Sequence, residues 1–216
     1  MKDALDWEDI IAKLEAWRAG TEETPSVSLV AERYSKDAWA VLLSTILSLR
    51  TKDKVTLASS KALLDRAPTP DSFLELSSEE AESLAFPAGF YRVKVANLQK
   101  IARILIEKYE GKVPAGMDEL LALPGVGRKT ANLVLIEAFD MDGICVDTHV
   151  HRICNRAGWL KSKHPDETEA ILRDILPRQF WKRLNGILVS YGQQVCRPVG
   201  PRCQNCVIAG HCRRVL

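Results

Sequence analysis

The groups in this chain best placed to do chemistry are one lysine, one aspartate and four cysteines. Lys129 follows the string Leu123-Pro124-Gly125-Val126-Gly127-Arg128 and precedes Thr130-Ala131. Pro124 and Gly125 stop one apolar run, because proline has no N–H to donate and glycine accepts positive φ. A second apolar run with helical spacing occupies 130–139. Two glycines two apart at the mouth of a helix leave backbone N–H groups uncovered. That geometry suits a phosphate oxygen, and the helix dipole adds to it. On residue types alone the string also reads as a plain corner between two helices, with Arg128 and Lys129 as solvated cations.

Asp147 lies 18 positions beyond Lys129, in Val146-Asp147-Thr148-His149-Val150. An aspartate there is a natural N-cap for a helix starting at Thr148, and a capping carboxylate can also face a site. Cys145, His149, His151 and Cys154 invite a metal reading. Positions two apart do not share a helix face, so packed cysteines and hydrogen-bonded histidines are the expectation instead. Cys196, Cys203, Cys206 and Cys212 follow a C-x6-C-x2-C-x5-C spacing within 17 residues, with Pro198, Gly200 and Pro201 in the first loop. Four thiols so close point to a metal site rather than a loose reduced tail, and spacing alone does not separate zinc from an iron–sulfur cluster.

The elements that must position these groups are helical. The 216 residues suffice for one domain or two small ones, and 46% hydrophobic with 27% charged residues is ordinary for a globular protein. A net charge of +2 makes no global attractive field, so any contact with a polyanion must come from local basic patches and backbone donors. Helical spacing is read over 3–18, then a loop over 20–28. An apolar helix over 38–49 belongs at the centre of a bundle. A polar patch over 48–53 leads into a helix reaching Leu64. Pro68 and Pro70 mark a loop, and Ser77 to Glu80 is a helix start. After a break at 87–92, a long amphipathic helix over 93–109 presents Val93, Leu98, Ile101, Ile104 and Leu105 on or near one face. Helices over 117–123, 165–176 and 180–192 complete the pattern. No period-two strand and no repeat is found, so the fold class is all-α. No signal-peptide core and no membrane-length apolar stretch is found. The expectation is a cytoplasmic protein, nucleoid-associated in a prokaryote, whose cysteines are not disulfides.

Taken together, the nine-residue string at Lys129, the VDTHV segment and the four-cysteine spacing resemble the endonuclease III family of DNA glycosylases. The likeness runs from about Asp37 to Cys212. It implies two helical domains. A six-helix barrel with a helix-hairpin-helix spans 31–141, and a discontinuous domain of 1–30 and 142–216 holds a [4Fe–4S] cluster loop on Cys196, Cys203, Cys206 and Cys212. It implies DNA across the groove between them, with Lys129 as Schiff-base nucleophile and Asp147 as catalytic carboxylate. The lysine must attack as the neutral amine, which burial, Arg128 and a helix N-terminus would favour. The implied partner is damaged double-stranded DNA, contacted by Gly125, Val126, Gly127, Arg128, Thr130, His149, Arg197 and Arg202. Arg50 stands where bacterial relatives carry a glutamine, which bears on opposite-base contacts. Phe90 stands in the wedge loop, or else is a core phenylalanine. The implied activity is removal of oxidised pyrimidines followed by β-elimination at the abasic site; with no coiled-coil or other dimer signal in the sequence, a monomer is the expectation. Two other readings stay open: a monofunctional glycosylase of the MutY or mismatch type, against which Lys129 argues, and a non-catalytic helix-hairpin-helix DNA-binding protein.

Overall fold

The computed structural model describes residues 5–20 and 25–215, and among them there are helices and no strand. The chain divides into two compact units. One is Pro25–Met141, and the other joins the residues up to Thr24 with those from Asp142 onward.

The middle unit holds α2 (Ser26–Arg33), α3 (Ala38–Ser48), α4 (Asp53–Arg66), α5 (Pro70–Leu74), α6 (Ser78–Ala85), α7 (Tyr91–Tyr109), α8 (Met117–Leu121) and α9 (Arg128–Phe139), with α1 (Trp7–Ala19) preceding them in the other unit. Six of these eight helices have eight residues or more; α5 and α8 have five each. Sequence chemistry sets several ends. Asp37 accepts from the Ala40 N–H to start α3, Thr69 and Ser72 form a reciprocal capping box on α5, and Ser77 accepts from the Glu80 N–H to start α6. The α3 helix is buried from Trp39 to Leu47 and packs against α2, α4, α7 and α9, as its all-round apolar character requires.

Three expectations need correction in this unit. The loop expected over 20–28 ends early, because α2 begins at Ser26; residues 21–24 of that loop, like Asp3 in the first expected helix, lie outside the described residues. Pro at a first helical position is preorganised rather than disruptive, so the loop expected at Pro70 is the short helix α5. The third concerns α7. Its buried face is Lys94, Val95, Leu98, Ile101, Ala102 and Leu105, whereas Val93 is 60% exposed. Lys94 is buried with its ammonium on the Leu47 carbonyl at 2.7 Å and on Thr51 Oγ1 at 2.8 Å.

The other unit holds α1, α10 (Thr148–Ala157), α11 (Pro165–Ile175) and α12 (Trp181–Gln194). Its apolar core draws Trp7, Ile10, Ile11 and Leu14 from α1 onto Val150, Ile153, Leu184, Ile187, Leu188 and Tyr191. Trp7 meets Trp159 edge-on at 5.2 Å between ring centres, and Trp17 meets Tyr191 at 4.8 Å. Each such aliphatic side chain, fully buried, contributes about 1.5–3 kcal/mol. The N-terminal helix is therefore part of the same core as the C-terminal ones. No described helix is long and apolar enough to cross a membrane.

Burial pushes the Lys94 amine down to about 8 from an ordinary value of 10.5. Between those two pH values the unfolded chain binds more protons than the folded one, so stability rises with pH in that window. Urea unfolding across it should show wild type gaining stability relative to Lys94→Met, with the difference flat below pH about 8. An unchanged difference throughout would show that the buried amine does not titrate there.

Candidate functional site

The hairpin is built by a turn that only glycine fits. Val126 N–H donates to the Leu123 carbonyl at 3.1 Å, and Gly125 adopts φ +76°. A Cβ on Gly125 would also stand 2.6 Å from Asn97 Nδ2. Gly127 is then the N-cap of α9, in extended backbone, with no side chain capping it and nothing within 4 Å of where its Cβ would be. The first turn of α9 thus begins beside open space, the arrangement that exposes helix N–H donors to an anion. Arg128 is exposed, Lys129 half-buried and Thr130 buried, and α9 starts at Arg128, which puts Lys129 in its first turn. Val126 is 7% exposed and packs inward.

Asp147 belongs to the other unit. It is the N-cap of α10: its Oδ1 accepts the His149 N–H at 2.8 Å and the Val150 N–H at 2.9 Å. The carboxylate is half-buried and rigidly oriented by that bifurcated cap, which leaves Oδ2 outside both hydrogen bonds. His149 sits one residue into α10, where Arg152 Nη2 donates to its Nδ1 at 3.0 Å. The same guanidinium donates to the Gly192 carbonyl at 3.1 Å and the Cys196 carbonyl at 2.9 Å. Gly192 permits this approach, since a Cβ there would lie 2.5 Å from the His149 ring. His151 Nδ1 instead meets Thr168 Oγ1 at 2.7 Å, and Cys145 and Cys154 are buried in the packing. Burial pushes the Cys154 thiol far above its ordinary range, so it stays protonated.

Cys196, Cys203, Cys206 and Cys212 are all unpaired and half-buried. Among the described residues no three His, Cys, Asp or Glu side chains stand in a group that could hold a metal ion. The sulfurs nevertheless share one neighbourhood. Burial raises the Cys212 thiol above its usual value, and the charges of Cys206, Cys196 and Cys203 raise it further. Two of the sulfurs accept hydrogen bonds: Tyr191 Oη donates to Cys206 at 3.1 Å, and Arg156 Nη1 to Cys196 at 3.5 Å. These donors hold the two sulfurs in place. Arg156 also donates to the carbonyls of Arg197 and Pro198, which fixes the loop backbone. Arg197 is half-buried, Arg202 exposed, and Val199 between them is 87% exposed.

Arg50 and Phe90 come together in the middle unit. Both adopt left-handed backbone, with φ 53° and 57°. The Arg50 guanidinium lies over the Phe90 ring, 5.8 Å from its centre. Phe90 is 64% exposed, which rules out the core alternative for it.

Against this geometry stand the known proteins. Residues 43–178 match the model of the HhH-GPD superfamily of base excision DNA repair proteins. The chain belongs to that superfamily. Endonuclease III of Thermotoga maritima is 46% identical over 176 residues, which cover 82% of this chain and 83% of that protein. Endonuclease III-like protein 1 of Mus musculus is 42% identical over 217 residues, 96% of this chain and 72% of its own. Among solved structures of the superfamily's fold, a non-covalent endonuclease III–DNA complex superimposes with a TM-score of 0.84 at 31% identity, covering 97% of this chain and 96% of the other. A trapped covalent endonuclease III–DNA intermediate gives 0.81 at 30% identity, covering 97% of each.

Four residues escaped sequence reading: Lys94, Arg152, Arg156 and Tyr191. Lys94 had a visible signal, since 94, 98, 101 and 105 follow the helical period of one face. Arg152, Arg156 and Tyr191 act through carbonyls and sulfurs far away in sequence and had none. The contrast between the two hairpin glycines is testable by urea unfolding. Gly125→Ala should cost about 1–2 kcal/mol, whereas Gly127→Ala should stay within about 0.5 kcal/mol of wild type. Equal costs at the two positions would contradict the turn geometry.

Proposed function

We propose that this protein is a DNA glycosylase and abasic-site lyase that removes oxidised pyrimidines from damaged double-stranded DNA. The observation that carries the reading is Lys129 in the first turn of α9, directly behind the glycine turn, in a chain 46% identical to an endonuclease III. The start of α9, whose N-cap Gly127 has no side chain, takes a phosphate of the DNA backbone with Gly125, Val126, Gly127, Arg128 and Thr130, through N–H donors and the positive end of the helix. The Lys129 amine attacks C1′ of the damaged nucleotide, forming an N–C1′ bond as the base leaves with the C1′–N pair. The lysine nitrogen then loses a proton and its lone pair opens the C1′–O4′ bond, O4′ taking a proton, and the protonated imine so formed acidifies C2′. Loss of a C2′ proton then expels the 3′ phosphate by cleavage of the C3′–O bond, which breaks the strand. Asp147 stabilises positive charge developing at the sugar, and its cap on α10 holds the carboxylate in one orientation while it does so.

Arg50 and Phe90 are assigned to the space left by the extruded nucleotide: Phe90 as an apolar wedge that stacks on bases, Arg50 toward the opposite strand. Arg197, Arg202 and His149 are assigned to DNA contacts around α10 and the cysteine loop. The four cysteines fit a [4Fe–4S] cluster by the chemistry of the donor set: four unpaired thiols in one neighbourhood, with Tyr191 and Arg156 donating to two of them. Such a cluster would tie down a loop whose 17 residues, 196–212, are too few to make their own core. It has no assigned part in the bond-breaking steps.

Single-turnover assays on a duplex with one thymine glycol test the roles, following base release and strand nicking separately. Lys129→Ala should abolish nicking and lower base release by at least about 10³-fold, and Asp147→Asn should lower both by about 10²–10⁴-fold while binding persists. Base release at wild-type rate from Lys129→Ala would replace the lyase with a water-using glycosylase. Tight binding with no release by the wild type, from this or other damaged bases, would leave a binding protein. The cluster assignment has its own check. Protein purified without air should absorb visible light, as zinc cannot, and Cys206→Ser should lose the colour and melt at lower temperature. Colourless protein containing stoichiometric zinc would overturn the assignment.

A further inference from the structure

We propose that Lys94 is a positioning residue. Through Thr51 and Gly89 it locks Arg50 and Phe90 into a single projecting unit, so that the strand-facing arginine and the wedge are presented to DNA together. The inference rests on the wedge reading of Phe90 and Arg50 given above, and goes beyond it in assigning what sets their placement.

The network is fully connected. Lys94 Nζ donates to the Leu47 carbonyl, one of the last carbonyls of α3, which have no partner within the helix. A cation at that end is favoured by the helix dipole. The same ammonium donates to Thr51 Oγ1, which also accepts the Gly89 N–H at 3.1 Å and donates to the Leu49 carbonyl at 3.3 Å. One donor and two acceptor positions exhaust a hydroxyl, so Thr51 is satisfied and fixed. Gly89 is pressed against the other segment: a Cβ there would lie 2.6 Å from the Arg50 carbonyl oxygen. The residues clamped this way, 50 and 90, are the two in left-handed backbone whose side chains meet.

The cost of this arrangement argues against a purely structural purpose. A non-glycine residue in left-handed backbone is strained, and glycine at position 50, just past the end of α3, would remove that strain. Phe90 is more anomalous, since it caps the start of α7, where extended backbone is the rule. The exposed guanidinium–ring contact is a weak offset to that strain. Adding a buried amine that is desolvated enough to shift its titration makes three unfavourable choices around one exposed arginine and one exposed aromatic ring. Such concentrations of strain persist where the geometry itself is used.

The test uses the full-length protein with its cluster, and single-turnover excision of thymine glycol opposite adenine and opposite guanine. Lys94→Met keeps length and apolar bulk but removes both hydrogen bonds; Thr51→Val removes the shared hydroxyl, and Thr51→Ser restores it. Lys94→Met and Thr51→Val should each slow excision about tenfold and shift the adenine-to-guanine rate ratio in the direction that Arg50→Ala does. Affinity for undamaged duplex should change less than about twofold, and Thr51→Ser should excise as wild type. In a background carrying Arg50→Ala and Phe90→Ala, Lys94→Met should add less than about twofold.

Wild-type rates and ratios in Lys94→Met and Thr51→Val, beside slow Arg50→Ala and Phe90→Ala, would overturn the positioning role and leave the wedge reading intact. Wild-type behaviour of Arg50→Ala and Phe90→Ala themselves would sink the wedge reading and this inference with it. A tenfold loss that persists in the double background would show that Lys94 acts elsewhere. Should Lys94→Met fail to fold, the Thr51→Val and Thr51→Ser pair decides alone, with melting temperature as the check on folding.

Discussion

A left-handed glycine decides where α9 begins, and the proposed chemistry depends on that start. With Gly125 at φ +76° the chain turns tightly enough for Val126 to bond back to Leu123, and Gly127 becomes the N-cap of the new helix. Lys129 then falls in the first turn, behind an N-cap that has no side chain. A β-carbon at 125 would need both a strained backbone and the displacement of Asn97. Shifting the helix start by one residue would rotate Lys129 by about 100° around the axis. The turn therefore fixes the direction of the lysine as well as its depth.

The same economy of local devices recurs at Asp147 and in the cysteine loop. Asp147 spends one oxygen on two backbone donors, which orients its carboxylate. Arg152 and Arg156, one turn apart on α10, each reach the cysteine segment: the first through the Cys196 carbonyl, the second through the Cys196 sulfur and the carbonyls that follow. The helix that Asp147 caps is thus also the helix that holds the cysteine loop. A change in that loop has a short covalent and hydrogen-bonded route to the carboxylate, within one unit.

What the sequence disclosed was whatever depends on near neighbours. The hairpin turn, the caps at Ser77 and Asp147, the buried run of α3 and the cysteine spacing all rest on residues within a few positions of each other. The failures share a cause too. The α2 helix starts behind Pro25 with no capping side chain, so its first turn resembled loop. The α7 face was misjudged by following apolar residues: the helical period favoured Lys94, but a lysine in a core position is believable only once its acceptors, Leu47 and Thr51, are seen across the fold. Phe90 stayed undecided between core and surface because left-handed backbone at a helix start cannot be read from an aromatic residue's type.

The central claim is that Lys129 bonds to the sugar. Borohydride trapping on a duplex containing thymine glycol tests it most directly, when the adduct is digested and its attachment point located by mass spectrometry. The account predicts a stable protein–DNA adduct whose crosslinked peptide carries the modification on Lys129. An adduct on another amine, or base release without any adduct, would contradict it.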